Sequence, residues 1–306
     1  MNDGRELERD VLKGVSRSFY LSLRFLPGPM RRPASIAYLL APTSDTIADS
    51  AAIPAAERIA FLDDFALQVA GLSDAAPWPA RLIEGTPDAR ERRLLECHVQ
   101  SMAALLTLDA EAISLIRDVV VIIIGGQKLD LERFGDPAPG GIPALPDSAA
   151  LDDYAWRVAG CVGEFWTKLG FATLREGFSK APESEMLALG TEYGSGLQLV
   201  NILRDLPADL RAGRCYLPVT DPTDETRLLT EFSKWREIAL ERVGRGIDYS
   251  RLLSSKRLRV ASALPAMIGL ETLGLLENVN LRDLAQGIRI PRKRVYSLIL
   301  AAFLRF

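Results

Sequence analysis

The chain has 306 residues, of which 48% are apolar, and a formal net charge of −3 at pH 7. This length and apolar content are sufficient for a sizeable buried core in one or two domains. The near balance of 37 basic and 40 acidic residues disfavours a general nucleic-acid-binding protein. The three cysteines lie far apart and lack a CxxC spacing, which indicates a reducing compartment and no disulfide framework.

The first ten residues, MNDGRELERD, are polar and acidic, unlike a secretory signal or a transit peptide. The most apolar run, VVVIIIGG at 119–126, is much shorter than the roughly 20 residues that span a bilayer. We therefore expect a cytoplasmic protein. One segment allows peripheral membrane contact: PRKRVYSLILAAFLRF, at 291–306, joins a basic head to an apolar C-terminal helix. The alternative is that this last helix docks on the core.

Apolar residues recur every three or four positions along most of the chain, which predicts helices. The first predicted helix covers 3–26. The others cover 31–53, 55–72, 91–108, 109–134, 152–174, 183–206, 224–250, 256–278 and the last segment. A Pro- and Gly-rich loop at 135–150 is the best candidate boundary, but apolar helices flank it on both sides. We predict one all-α domain over residues 1–306 with about ten helices.

Two pairs of aspartates are spaced four residues apart within predicted helices. Asp45 and Asp49 lie in SDTIADS, and Asp205 and Asp209 follow LQLVNILR, with Asn201 one turn earlier. Residues four apart share one helix face, so two opposed faces of this kind would create an oxygen-rich cavity. Magnesium prefers such oxygen ligands and commonly links protein carboxylates to substrate phosphates.

Arginines close to these aspartates could bind phosphate oxygens through bidentate hydrogen bonds. The candidates are Arg17, Arg204, Arg211 and Arg214. Each aspartate pair also fits an ordinary charged helix surface, and each arginine could form a simple surface ion pair. The residue pattern alone leaves both interpretations open.

Other chemistries find less support in the sequence. His98, the only histidine, lies in an apolar helix without the partners that a metal site or a catalytic triad needs. GTEYGSG, at 190–196, is not a dinucleotide-binding fingerprint, and VIIIGGQKLD, at 121–130, lacks the phosphate-loop spacing. Several aromatic residues could line a hydrocarbon pocket or simply belong to the core: Phe19, Tyr20, Tyr38, Phe134, Tyr154 and Trp166.

Four segments resemble the successive signature blocks of squalene and phytoene synthases, in the right order. They are SRSFYLSLRFLP, DTIAD, DDYAWRVAGCVG and LQLVNILRDLPADLRAGRCYLP, and together they span residues 16–218. The resemblance implies a single-domain, all-α class I isoprenoid synthase fold, a helical bundle with one central cavity. It implies Mg²⁺ bound by both aspartate motifs, and NADPH as a possible second cofactor.

The resemblance also assigns roles to individual residues. The implied metal ligands are Asp45, Asp49, Asn201, Asp205 and Asp209, and the implied catalytic residues are the four aspartates with Tyr154. The implied substrate-binding residues are Ser16, Arg17, Phe19, Tyr38, Gln198, Asn201, Arg204 and Arg214.

The implied reaction joins two farnesyl diphosphates head to head through presqualene diphosphate, with NADPH reducing the product to squalene. It requires charge stabilisation at the leaving diphosphate and an apolar wall that excludes water from the cations. The alternatives are synthesis of phytoene from a C20 substrate, or of dehydrosqualene or presqualene diphosphate without a reductant. A further alternative is a non-catalytic member that binds prenyl diphosphates.

Two prolines depart from the family pattern. Pro42 stands three residues before the first motif, where most relatives carry an arginine, so a diphosphate or cofactor contact is expected to be missing. Pro207 lies between the two aspartates of the second motif. An interior proline removes a backbone donor and costs about 3 kcal/mol in a regular helix. Pro42 could therefore kink the helix just before Asp45, and Pro207 could either rotate Asp209 away from the shared face or mark a kink that the pocket tolerates.

Overall fold

Prolines and aspartates mark most of the helix starts. The computed structural model describes residues 23–135 and 141–306. Helices begin directly after Pro27, Pro54, Pro79, Pro182 and Pro291, or after Asp88, Asp109, Asp147 and Asp224. Each of these aspartates accepts a hydrogen bond from a backbone N–H of the first helical turn, which satisfies a donor that has no partner within the helix.

The α-helices of the described residues are numbered here in chain order. They are α1 Gly28–Ala48, α2 Ala55–Ala70, α3 Ala80–Gly85, α4 Ala89–Glu96, α5 His98–Leu105, α6 Ala110–Phe134, α7 Ser148–Ala155, α8 Cys161–Leu174, α9 Glu183–Arg211, α10 Glu225–Leu252, α11 Lys256–Leu275, α12 Leu281–Ala285 and α13 Arg292–Arg305. A π-helical turn, Trp156–Gly160, joins α7 to α8. The described residues contain no strand, only two isolated bridges, so the prediction of an all-α fold is confirmed.

The chain divides into two compact units. The first contains the described residues up to 135 together with Lys168–Arg175, and the second contains 141–167 together with Glu176–Phe306. In the first unit, α1 is the central helix and packs against α2, α4, α5 and α6. In the second unit, α9 is central and packs against α7, the π-helical turn, α10, α11 and α12. The single domain over residues 1–306 stays a prediction.

The helix boundaries differ from the predicted ones in two places that bear on the site. The predicted helix 91–108 is two helices, α4 and α5, which meet at Cys97. The first aspartate pair does not lie wholly inside a helix, because α1 ends at Ala48 and Asp49 is its C-cap. The Asp49 N–H still bonds to the Asp45 carbonyl at 2.8 Å, so the one-turn relation of the pair is kept.

Neither unusual proline ends its helix. α1 continues through Pro42 to Ala48, and α9 continues through Pro207 to Arg211. Each proline removes one backbone hydrogen bond, a cost that tertiary packing of the central helices offsets.

Glycines allow α9 to pack closely against the π-helical turn and α8. A Cβ at Gly163 would stand 1.9 Å from the Gly190 carbonyl oxygen, and a Cβ at Gly194 would stand 2.3 Å from that of Ala159. Real side chains cannot occupy those distances, so the two backbones touch only because both positions are glycine. GTEYGSG is therefore part of a helix-packing surface.

Candidate active site

The first aspartate pair lies on a narrow accessible stripe of an otherwise buried helix. Among residues 33–50, the only ones that are not buried are Tyr38, Ala41, Pro42, Asp45 and Asp49. These positions recur at three- and four-residue intervals and therefore share one face. A solvated surface helix would expose a broad polar face, whereas from residue 33 onward this segment exposes only those five residues. This pattern favours a built site over ordinary surface charge.

Asp45 is accessible to solvent and yet closely surrounded by protein. Desolvation raises the pKa of its carboxyl to about 7, and the negative charges of Asp49 and Glu91 add to this rise. Gln127 of α6 donates its Nε2–H to Asp45 Oδ1 at 2.5 Å and orients the carboxylate. Crowding of an accessible carboxylate is typical of a recessed surface, where a cation could relieve the excess negative charge.

The second aspartate pair lies at a comparable stripe of α9, with Asp205 on the stripe and Asp209 buried beside it. Among residues 193–209, the accessible positions are Leu197, Gln198, Asn201, Arg204, Asp205 and Ala208, and the others are buried. Four of these six are polar, and Asn201 donates an N–H to Gln198 Oε1 at 3.5 Å. Within the second unit, the central helix thus presents amide, carboxylate and guanidinium groups on one line.

Each aspartate of the second pair binds an arginine. Arg204 forms a two-pronged contact with its neighbour Asp205, with Nε–Oδ1 and Nη2–Oδ2 distances of 2.9 and 2.5 Å. This contact raises the pKa of the Arg204 guanidinium. Asp209 is buried, with 11% of its side chain exposed, and it accepts a hydrogen bond from Arg214 Nε at 2.9 Å. Charged groups of both signs therefore alternate along this surface.

A turn after α9 returns the chain to Asp209. Gly213 adopts a φ of +79°, which favours glycine, and the next N–H, of Arg214, bonds to the Asp209 carbonyl at 3.0 Å. The Arg214 guanidinium lies 5.7 Å from the centre of the Tyr216 ring, and Tyr216 stacks on Tyr154 at 4.8 Å. The segment GRCYLP thus holds one arginine between a carboxylate and an aromatic pair.

The comparison with known families agrees with these features. A profile of the squalene/phytoene synthase family matches residues 12–295. This chain belongs to that family. The match covers both aspartate pairs and the described helices from α1 to α12, so the resemblance of the sequence blocks is confirmed.

Two curated relatives illustrate the range of the squalene/phytoene synthase family. A bifunctional lycopene cyclase/phytoene synthase of Phaeosphaeria nodorum is 30% identical over 218 residues, which cover 68% of this chain and 33% of that protein. The chain therefore matches about a third of its length. A presqualene diphosphate synthase of Zymomonas mobilis is 27% identical over 299 residues, which cover 94% of this chain and 87% of that enzyme.

Solved structures confirm the fold expected of this family. The complex of TcSQS with the ligand E5700 matches with a TM-score of 0.80 at 23% identity, over 100% of this chain and 89% of that one. The chain accordingly has the all-α fold of the squalene synthase-like isoprenoid synthases.

The structure places most of the family's expected site residues on the two stripes. The first unit holds Tyr38, Asp45 and Asp49, and the second holds Tyr154, Gln198, Asn201, Arg204, Asp205, Asp209 and Arg214. Ser16, Arg17 and Phe19 lie outside the described residues. Arg211, a further candidate, is exposed at the end of α9. The ligand and substrate roles of all these residues stay predictions.

Three residues near the two pairs were missed in the sequence. Gln127 bonds to Asp45, Glu91 raises the pKa of Asp45, and Tyr216 stacks on Tyr154. Gln127 could have been noticed, since it is the first polar residue after the apolar run of α6. Glu91 could not, because only the tertiary packing of α4 brings it close to α1.

The donor set of these stripes fits a magnesium ion. Among residues 23–135 and 141–306, no three His, Cys, Asp or Glu side chains are close enough to bind a metal by themselves. The possible ligands are therefore pairs of carboxylates together with amide oxygens. Magnesium typically binds one or two carboxylates together with water and substrate phosphate. The raised pKa of Asp45, caused first by desolvation and then by the charges of Asp49 and Glu91, is consistent with such a site, because a bound cation would favour the ionised carboxylate.

His98 has the structural role that was expected. It is buried, its Nε2 lies 2.7 Å from Gln68 Oε1, and its ring packs against Phe65 and Trp78. Burial lowers its pKa to about 4. A neutral imidazole in this aromatic cluster contributes to the core of the first unit.

Proposed function

We propose that this protein catalyses the magnesium-dependent, head-to-head condensation of two farnesyl diphosphates to presqualene diphosphate. One observation carries the proposal: over residues 33–50 and 193–209, the central helix of each unit is buried except for a narrow stripe, which carries Asp45 and Asp49 in the first unit and Asp205 in the second. Full-length similarity to a presqualene diphosphate synthase supports this choice of product.

The residues that would hold magnesium are Asp45 and Asp49 on α1, and Asn201, Asp205 and Asp209 on or beside the α9 stripe. When bound, the ion would supply positive charge that stabilises the departing diphosphate. An apolar surrounding that excludes water would protect carbocationic species from capture.

The arginines of the second unit are suited to the diphosphate itself. Arg204 and Arg214 each bind one aspartate through Nε. Both groups could also bind phosphate oxygens, because a guanidinium offers five donors in one plane. Their pairing with aspartates holds these donors in place before the substrate arrives.

Aromatic residues would stabilise positive charge near the reacting carbons. The rings of Tyr154 and Tyr216 are stacked and buried, so their faces are fixed in orientation. The Arg214 guanidinium lies 5.7 Å from the centre of the Tyr216 ring, a contact of the kind by which an aromatic ring stabilises a cation.

The test is incubation of the purified full chain with farnesyl diphosphate and magnesium, with and without NADPH, followed by mass spectrometry. Presqualene diphosphate in both conditions supports the proposal. Squalene that forms only with NADPH would extend the reaction to reductive synthesis, which stays a prediction here. Magnesium-dependent binding without any product would instead identify a non-catalytic binding protein.

A parallel incubation with geranylgeranyl diphosphate tests the C20 alternative. Similarity to the phytoene synthase part of the Phaeosphaeria nodorum protein makes this arm necessary. Turnover of only the C20 substrate would overturn the choice of farnesyl diphosphate.

Asp205→Asn should abolish turnover with unchanged helical circular dichroism, whereas Asp74→Asn, in an exposed loop, should leave turnover intact. Near wild-type turnover by Asp205→Asn would contradict the metal-binding role.

A further inference from the structure

Helix α13 is held on the second unit in a defined orientation. Its inner face buries Leu298 and Ala302 and packs against α11. Arg294 forms two hydrogen bonds with Glu271 of α11, at 2.7 and 2.9 Å, and Arg259 donates to the Phe306 carbonyl at 2.9 Å. These contacts are distributed along the whole length of α13, so its opposite face points outward.

That outward face is apolar. Tyr296, Leu300 and Leu304 are 69%, 62% and 79% exposed, and their four-residue spacing places them in one row. With Phe303 beside them, α13 carries four of the nine large apolar side chains that are exposed in the described part of the chain. Such a concentration on one helix is typical of a surface that contacts an apolar partner.

The charge around this row is uniformly positive. Between residues 289 and 305 the chain has five basic residues and no acidic one. Arg292 and Lys293 are exposed in the first turn of the helix, on the face that Tyr296 shares, and Arg289 is exposed just before it. A surface that combines an apolar row with cations matches the boundary of a membrane with anionic lipids.

A second copy of this chain is a poorer partner for the same surface. In a twofold contact Arg292 and Lys293 would face either the same residues or Arg305 of the second copy, and in both arrangements like charges would repel. An anionic lipid surface both accepts the apolar side chains and neutralises the cations. We propose that α13 binds peripherally to anionic membranes, with Tyr296, Leu300 and Leu304 inserted below the headgroups.

This proposal concerns attachment and not a membrane-spanning segment. Among the described residues, α11 alone is long and apolar enough to cross a bilayer, and 61% of its most apolar window is buried inside the protein. A core helix passes the same test, and α11 is the helix on which α13 rests.

The test is co-sedimentation of the full chain, without substrate, with vesicles of phosphatidylcholine alone or with about 30% phosphatidylglycerol. We expect binding to the anionic vesicles and a strong decrease at high salt. A Leu300→Ser and Leu304→Ser double variant should bind about tenfold more weakly or worse. An Arg292→Gln and Lys293→Gln double variant should lose roughly fivefold for each charge.

The matched control is Leu72→Ser with Leu106→Ser, which removes two leucines of similar exposure from the first unit and should leave binding unchanged. A Tyr296→Trp variant adds a direct readout, because brominated lipid should quench its fluorescence if the residue enters the bilayer. Absence of vesicle binding by the wild type would overturn the proposal. Equal vesicle binding by the Leu300/Leu304 variant would do so as well. The proposal would also be overturned if that variant lost a dimer formed by the wild type and kept its binding to vesicles.

Discussion

Arg214 donates its Nε–H to Asp209 at 2.9 Å, across a turn that the positive φ of Gly213 makes possible. The pair holds a nearly buried carboxylate in place at the end of α9 and sets the arginine over the Tyr216 ring. It therefore links the second aspartate motif to the segment that follows it, which explains why these residues occur together in the sequence block.

Replacement of Arg214 by Gln should reduce both stability and activity. It leaves the Asp209 carboxylate buried without its cation, which should lower the free energy of unfolding by about 2 kcal/mol. Urea unfolding at pH 7 measures this loss, and product assays should show a larger loss in turnover than Arg214→Lys causes. The exposed pair of Arg251 and Asp248 provides the control, since Arg251→Gln should change stability by less than about 0.5 kcal/mol. Equal effects of the two Gln variants would contradict this role.

Asp45→Asn should stabilise the metal-free protein while it abolishes magnesium-dependent turnover. The pKa of Asp45 is raised to about 7, so its favourable contribution is complete below the unfolded value near 3.8 and is lost as the pH rises through 7. The variant should thus melt at a higher temperature than the wild type at pH 8, and the difference should shrink at pH 5. Thermal melts in the presence of a chelator measure this. Asp74→Asn should show no such pH-dependent difference, and a lower melting temperature of Asp45→Asn at pH 8 would refute the electrostatic argument.

His98 should make the protein less stable in mild acid. Burial lowers its folded pKa to about 4 from an ordinary value of 6.5, so the unfolded chain binds the proton first as the pH falls. The resulting loss of stability begins below about pH 6.5, grows to about 3 kcal/mol and levels off below the folded pKa. The test compares the urea concentrations at the unfolding midpoints of the wild type and His98→Gln from pH 7 to pH 4.5. The two midpoints should converge as the pH falls. Parallel pH dependence of the two proteins would show that His98 does not titrate in this way.

Gly163→Ala should destabilise the second unit by about 2 kcal/mol or more, because the new Cβ would stand 1.9 Å from the Gly190 carbonyl. Gly244→Ala is the matched control: this residue is also in a helix, and a Cβ there has open space around it. Its replacement should be neutral or stabilise by up to about 1 kcal/mol. Chemical denaturation of both variants checks the contrast, and similar effects would argue against close packing of α9 on α8.

The two aspartate pairs show how far local pattern predicts structure. Their four-residue spacing predicted one face for each pair. Asp45 and Asp49 both lie on the accessible stripe of α1, whereas on α9 Asp205 is accessible and Asp209 is buried. The spacing could not tell whether the rest of each helix is buried. Burial depends on which helices pack around α1 and α9, and that information is not contained in either segment alone.

The two prolines show a case in which the local rule leaves the outcome open. A proline can end or kink a helix; α1 and α9 continue through Pro42 and Pro207, and a kink at either position stays a prediction. Each proline loses only one hydrogen bond, and both helices are held by neighbours on several sides. Tertiary contacts outweigh the propensity of a single residue in such positions.

By itself, the sequence determined the helical class, the spacing of the four aspartates, the basic and apolar character of α13, and the family through its ordered blocks. These features depend on residues that are close together in the chain, and helical periodicity relates such residues to one another. Only the tertiary structure decided that Glu91 and Gln127 act on Asp45, that Tyr154 stacks on Tyr216, and that Leu300 and Leu304 point outward. Charge, stacking and exposure depend on distances between segments that are far apart in sequence, and packing alone sets those distances.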